Sequence, residues 1–75
     1  MEPIGKALHM AKSGRLIIKA EKEVKVGSFI LDEKGNKVAR VQEIIGPVRS
    51  SYISAAPLSE RVKRVIGGSV YSSGG

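Results

Sequence analysis

A chain of 75 residues with thirteen Lys and Arg against seven Asp and Glu, a formal net charge of +6 and no cysteine has room for one domain, which buries only roughly 60% of the surface its unfolded chain exposes. The missing thiols exclude disulfides and thiolate metal sites, and a single histidine, His9, excludes a zinc site built from imidazoles. A partner is the remaining support the sequence allows for so small a core, and the positive balance draws such a domain toward nucleic acid or acidic protein surfaces.

Short runs rich in Ile and Val, interrupted by glycine at close intervals, predict an all-β chain with tight turns. The first strand is expected from Ile4 to Met10, with Ile4, Leu8 and Met10 on one face, Lys6 laying its stem along it, and Ala7 and His9 on the other. Lys12-Ser13-Gly14 then supplies the short polar residues and the glycine of a hairpin turn. The second strand follows from Arg15 to Ala20, where Leu16 and Ile18 make one side apolar and Ile17 and Lys19 leave the other mixed, as in a barrel wall. A third strand, Phe29 to Leu31 with Phe29 in the core, is joined to a fourth through Asp32-Glu33-Lys34-Gly35-Asn36, a loop closed by a left-handed Gly35 or Asn36. In the fourth strand, Val38 to Ile45, Gln42 and Glu43 break the alternation, which points to a bulge near Gln42.

Gly46-Pro47-Val48 ends that ladder, because proline donates no hydrogen bond and restricts the residue before it. A fifth strand is expected from Tyr52 to Ala56 and a sixth from Ser69 to Tyr71. Between them, Leu58, Val62, Val65 and Ile66 recur at helix-like intervals, consistent with either a short helical turn or a closed loop. The barrel domain is placed at residues 1–71, and 72–75 are expected to be a flexible C-terminal tail. No stretch approaches the ~20 apolar residues of a membrane span. Met1 to Met10 lacks the pattern of a signal peptide, so a soluble, cytoplasmic protein is expected.

Each route to an enzyme lacks residues. His9 has no serine or cysteine nucleophile standing out as its mate and reads as structural or interfacial. Glu21 with Glu23 and Asp32 with Glu33 are paired acids, but they fall in loops thick with lysine and read as solvated turn residues. The glycines spell neither a phosphate loop nor a dinucleotide fingerprint. Only Phe29, Tyr52 and Tyr71 are aromatic, a poor platform for stacking bases. No catalytic residue, cofactor, metal or small-molecule ligand is therefore expected. What remains is an interface: Gly46, Pro47 and Val48, followed by Tyr52 with Ile53 as its neighbour, set a rigid loop beside an exposed valine and an amphipathic aromatic.

Gly5-Lys6-Ala7-Leu8-His9-Met10-Ala11-Lys12-Ser13-Gly14-Arg15-Leu16-Ile17, then Val38 to Ile45 leading into Gly46-Pro47-Val48, then Tyr52, and finally Gly68 to Tyr71, follow one another in a pattern that resembles the core domain of the glycine-arginine-rich (Gar-type) subunit of H/ACA ribonucleoproteins in its archaeal form. The resemblance implies a small six-stranded antiparallel β-barrel that binds the catalytic domain of a dyskerin-type pseudouridine synthase. By that resemblance the subunit does not catalyse, touches guide RNA mainly indirectly, and acts on the synthase's mobile loop to aid substrate loading and product release. The docking residues it implies are Gly46, Pro47, Val48 and Tyr52, with Ile53 beside them; His9 and Lys12 match the family's first hairpin. The arginine-glycine-rich tails of eukaryotic members are missing, as is the lysine-rich extension of some archaeal ones. The assembly-factor branch of the same fold shares the barrel, and a basic RNA-binding barrel and a self-associating barrel are the rival readings.

Overall fold

The computed structural model describes residues 3–47 and 50–72. Six strands, β1 (Pro3–Met10), β2 (Leu16–Ala20), β3 (Phe29–Leu31), β4 (Lys37–Ile45), β5 (Tyr52–Pro57) and β6 (Ser69–Ser72), close into an antiparallel barrel in the order β1-β2-β5-β4-β3-β6. The turns follow the expected chemistry. Gly14 (φ 88°) and Gly35 (φ 85°) hold the left-handed conformation at the β1–β2 and β3–β4 turns, where a Cβ would be strained. The Gly14 N–H donates to the Ala11 carbonyl and the Gly35 N–H to the Asp32 carbonyl, each locking its turn.

The barrel is filled by the inward residues of every strand: Ile4 and Ala7 from β1, Leu16, Ile18 and Ala20 from β2, Ile30 from β3, Val38 and Val41 from β4, Ile53 and Ala55 from β5, and Val70 from β6. In a barrel this narrow small residues are needed as much as large ones. Gly5 is the tightest point. It pairs with Ala20, and a Cβ there would run into the Lys19 carbonyl oxygen, so β1 and β2 approach more closely than any other residue permits.

Among the described residues the strand register shifts at four places, Pro3–Gly5 and Ala7–His9 in β1, Ile30–Leu31 between β3 and β4, and Val41–Glu43 in β4. In β4 the register slips between Val41 and Glu43, where the sequence pattern places it. In β1 it slips between Ala7 and His9, so that Leu8 is the extra residue. The two shifts in β1 overturn its expected face. Each inserted residue reverses what lies beyond it: the shift before Gly5 lets Ala7 join Ile4 inside, and the bulge at Leu8, which is 38% exposed, brings Met10 back to pack against the core.

Residues Glu60–Arg64 form a 3-10 helix, capped by Ser59, whose hydroxyl accepts from the Arg61 N–H at 3.3 Å. With three residues per turn its side chains line up in three rows. Val62 and Val65 enter the core, Glu60 and Lys63 pair across 3.8 Å in solvent, and Arg61 and Arg64 share the third side. Leu58 and Ile66, which fit a wider helical spacing in the sequence, stay exposed.

Two further expectations are corrected. Phe29 is half-buried and outside the core; its ring lies under the Lys37 ammonium, 4.3 Å from the centroid, a cation–π contact at the barrel wall. Ser72 belongs to β6 and pairs with Ile30, so the strand continues one residue past Tyr71. The remaining tail residues, 73–75, lie outside the described residues.

Candidate docking surface

The β4–β5 hairpin presents the surface singled out from sequence. After Ile45 the chain turns at Gly46, whose φ of 96° only glycine adopts comfortably. Pro47 follows, exposed, and its carbonyl accepts from the Ser50 N–H at 2.9 Å. Val48 lies outside the described residues. Tyr52 then opens β5 directly opposite Ile45, and the two are 42% and 54% exposed. An aromatic facing a β-branched side chain across two strands is a favourable pair, and here it stands in solvent.

Ile53 is the correction. Sequence proximity to Tyr52 suggested a shared surface, but successive strand residues point to opposite sides, and Ile53 is 1% exposed within the core. Its contribution is to hold β5 in place. The residue that accompanies Tyr52 is Ile45, with Ile44 also exposed beside it. The signal for both was available: two isoleucines follow Gln42-Glu43 and precede Gly46-Pro47, and a bulge at that point turns one of a pair outward.

The Ile45–Tyr52 pair begins a longer row. Tyr52 opposes Lys19 of β2, Lys19 opposes Lys6 of β1, and Lys6 opposes Ser69 of β6. All five residues are exposed. The row thus passes from apolar to basic along the barrel wall. A second row joins Glu43, Ser54, Ile17 and His9, with its ends, Glu43 and His9, exposed, Ile17 half-buried and Ser54 buried. Arg15 and Glu43 lie 4.0 Å apart there, both well exposed. His9 is exposed on this wall, and Lys12 is exposed in the first turn.

On another side, Asp32, Glu33, Lys34 and Asn36 of the β3–β4 turn, Arg61 and Arg64, and Tyr71 line an open cleft of about 620 Å³. Asp32 organises its rim. Its Oδ1 accepts from the Asn36 N–H at 2.8 Å and the Lys34 N–H at 2.9 Å, and its Oδ2 from the Asn36 side-chain amide at 3.1 Å. The bond from the Asn36 backbone, chiefly, holds the Asp32 carboxyl below its ordinary pKa of 3.8, and the nearby Arg61 adds to the effect. Among the described residues no group of three His, Cys, Asp or Glu is placed to hold a metal ion, and no helix is long and apolar enough to cross a membrane.

No family model matches the chain. An uncharacterized protein of the archaeon Methanocaldococcus jannaschii is 33% identical over 64 residues, which cover 85% of this chain and 75% of that protein. The chain belongs to the same family as that protein. An uncharacterized protein of Methanothermobacter thermautotrophicus is similar as well, 30% identical over 57 residues that make up 76% of this chain; the chain spans only 62% of the length of this relative. The family so defined is archaeal in both of these members.

Proposed function

We propose that this chain is a non-catalytic subunit of an archaeal H/ACA small ribonucleoprotein, which docks on the dyskerin-type pseudouridine synthase and aids substrate loading and product release during guided rRNA pseudouridylation. The observation that carries the reading is the exposed Ile45–Tyr52 pair beside the Gly46–Pro47 turn, the place where the sequence resembles the Gar-type subunit. Rigid amphipathic aromatics beside aliphatic side chains make good interface anchors because they bury much area at little entropy cost.

The mechanism is a population shift. Docking moves the synthase's loop only insofar as the barrel binds one loop position more tightly than another. A binding titration of the purified chain against the synthase without RNA, at two salt concentrations, tests the reading. Tight binding that survives the higher salt is expected; no binding refutes it.

A second reading, direct RNA binding, draws on Arg61 and Arg64, which share one side of the 3-10 helix in a cleft with Tyr71. Two guanidiniums side by side suit phosphate. The same titration with guide RNA alone separates the two, since RNA binding through phosphates falls steeply as salt rises.

A further inference from the structure

We infer that the open edge of β4 from Gln42 to Ile45 accepts an extended strand of the protein partner, which adds to the barrel wall. The inference rests on the docking reading above and specifies how the contact is made. β4 has nine residues and β3 only three. Their pairing stops at Phe29 opposite Arg40, and one further step follows, in which Val41 donates to the Ser28 carbonyl and accepts from the Gly27 N–H, both at 2.9 Å. The chain before that point turns away, through the Ser28 N–H to Lys25 carbonyl bond and a Gly27 φ of 94°. Past Val41, β4 is paired with β5 alone, and among the described residues no backbone bond reaches its other edge.

Such an edge presents N–H donors and carbonyl acceptors in alternation. A phosphodiester offers acceptors only, so RNA held through its phosphates complements half of it; another main-chain strand complements both kinds of group in the same repeat. Of the usual guards of an edge, the window carries the bulge at Gln42 and the charge of Glu43 at its start; Ile44 and Ile45 carry none. Val26, 62% exposed, stands next to Gly27 where the ladder ends. The bulge at Gln42 and the Gly46–Pro47 turn bracket a short window, but a short pairing is what this barrel already uses: β3 and β6 are joined by two register pairs, Ile30 with Ser72 and Leu31 with Tyr71.

β1 has a comparable stretch, Leu8 to Met10, beyond its pairing with β6. There the 3-10 segment lies alongside, with Met10 sharing a hollow with Pro57, Ser59 and Val62. The β4 edge is the uncovered one, at the same end of the hairpin as Ile45 and Tyr52. A partner segment with apolar residues at alternate positions would satisfy the edge and extend the Ile45–Tyr52 surface in one step.

Amide hydrogen exchange of the full chain, labelled with ¹⁵N and measured alone and bound to a dyskerin-type synthase, tests this. Edge-facing amides within Gln42–Ile45 are expected to slow by about tenfold or more, and isotope-edited spectra are expected to show Hα–Hα contacts between Glu43–Ile45 and the synthase. If the synthase binds while these amides exchange as in the free chain, or slow without such contacts, strand addition is overturned and the docking reading stands. Absence of binding overturns both. Slowing in the chain alone as its concentration rises, with dimers in sedimentation, gives the edge to a second copy and overturns the assignment to a partner.

Discussion

Asp32 shows how one side chain sets a local stability that depends on pH. Its carboxylate takes hydrogen bonds from two backbone amides and one side-chain amide, and these favour the charged form, so its folded-state pKa lies below the ordinary value. A carboxyl depressed in this way contributes stability that is fully present above the unfolded pKa and is lost as pH falls through the folded one. Thermal unfolding of Asp32→Asn against the parent chain should therefore show a lower midpoint at neutral pH, with the gap closing once the pH drops below the ordinary carboxylate range. Tyr52, Ile45 and Ile53 make a sharper contrast. Tyr52→Ala with Ile45→Ala should weaken synthase binding by about 2–4 kcal/mol if they are anchors. Ile53→Ala instead opens a cavity in the core, and urea titration should find it less stable by about 2–5 kcal/mol. Equal losses of binding and stability in the Tyr52/Ile45 variant would move that pair from interface to scaffold.

At the scale of elements, Gly5 is where β1 and β2 come too close for a side chain. Gly5→Ala should destabilise the fold by about 1–3 kcal/mol through overpacking, read from the denaturant midpoint. The strands themselves were legible from sequence, with ends differing by one residue at most, because runs of Ile and Val are separated by glycines that must turn. The β4 bulge was legible as well, since Gln42 and Glu43 interrupt the apolar run. The shifts in β1 were not. Ile4, Leu8 and Met10 fall at even spacings that mimic an unbroken face, and only the pairings reveal the extra residues, with Ile17 and Ile18 at Leu8 and with Val70 and Tyr71 before Gly5. The 3-10 helix was legible as one of two alternatives, a short helical turn or a closed loop; its period was not, because Val62 and Val65 are three apart while Leu58 and Ile66 pulled the pattern toward a wider spacing. Of the candidate surface, Gly46, Pro47 and Tyr52 are where chain order suggested. Ile45 was missed because the local signal, two adjacent isoleucines after a bulge, shows that one of them turns outward without showing which; the pairing with Tyr52 decides it.

The whole molecule carries +6, a field that speeds encounter with acidic partners and weakens with salt. If the apolar pair holds the complex, raising salt should slow association while leaving dissociation nearly unchanged, as stopped-flow mixing would show. The strand order has a different consequence. β6 is the last strand in the chain, yet it is the staple between β1 and β3, so the wall stays open on that side until Ser69–Ser72 has been synthesised. On the ribosome, Gly5, Lys6, Ile30 and Leu31 wait as unfilled hydrogen-bonding positions. Closure thus waits until the other five strands have been made, and the interval before it is when a chaperone has the most to hold.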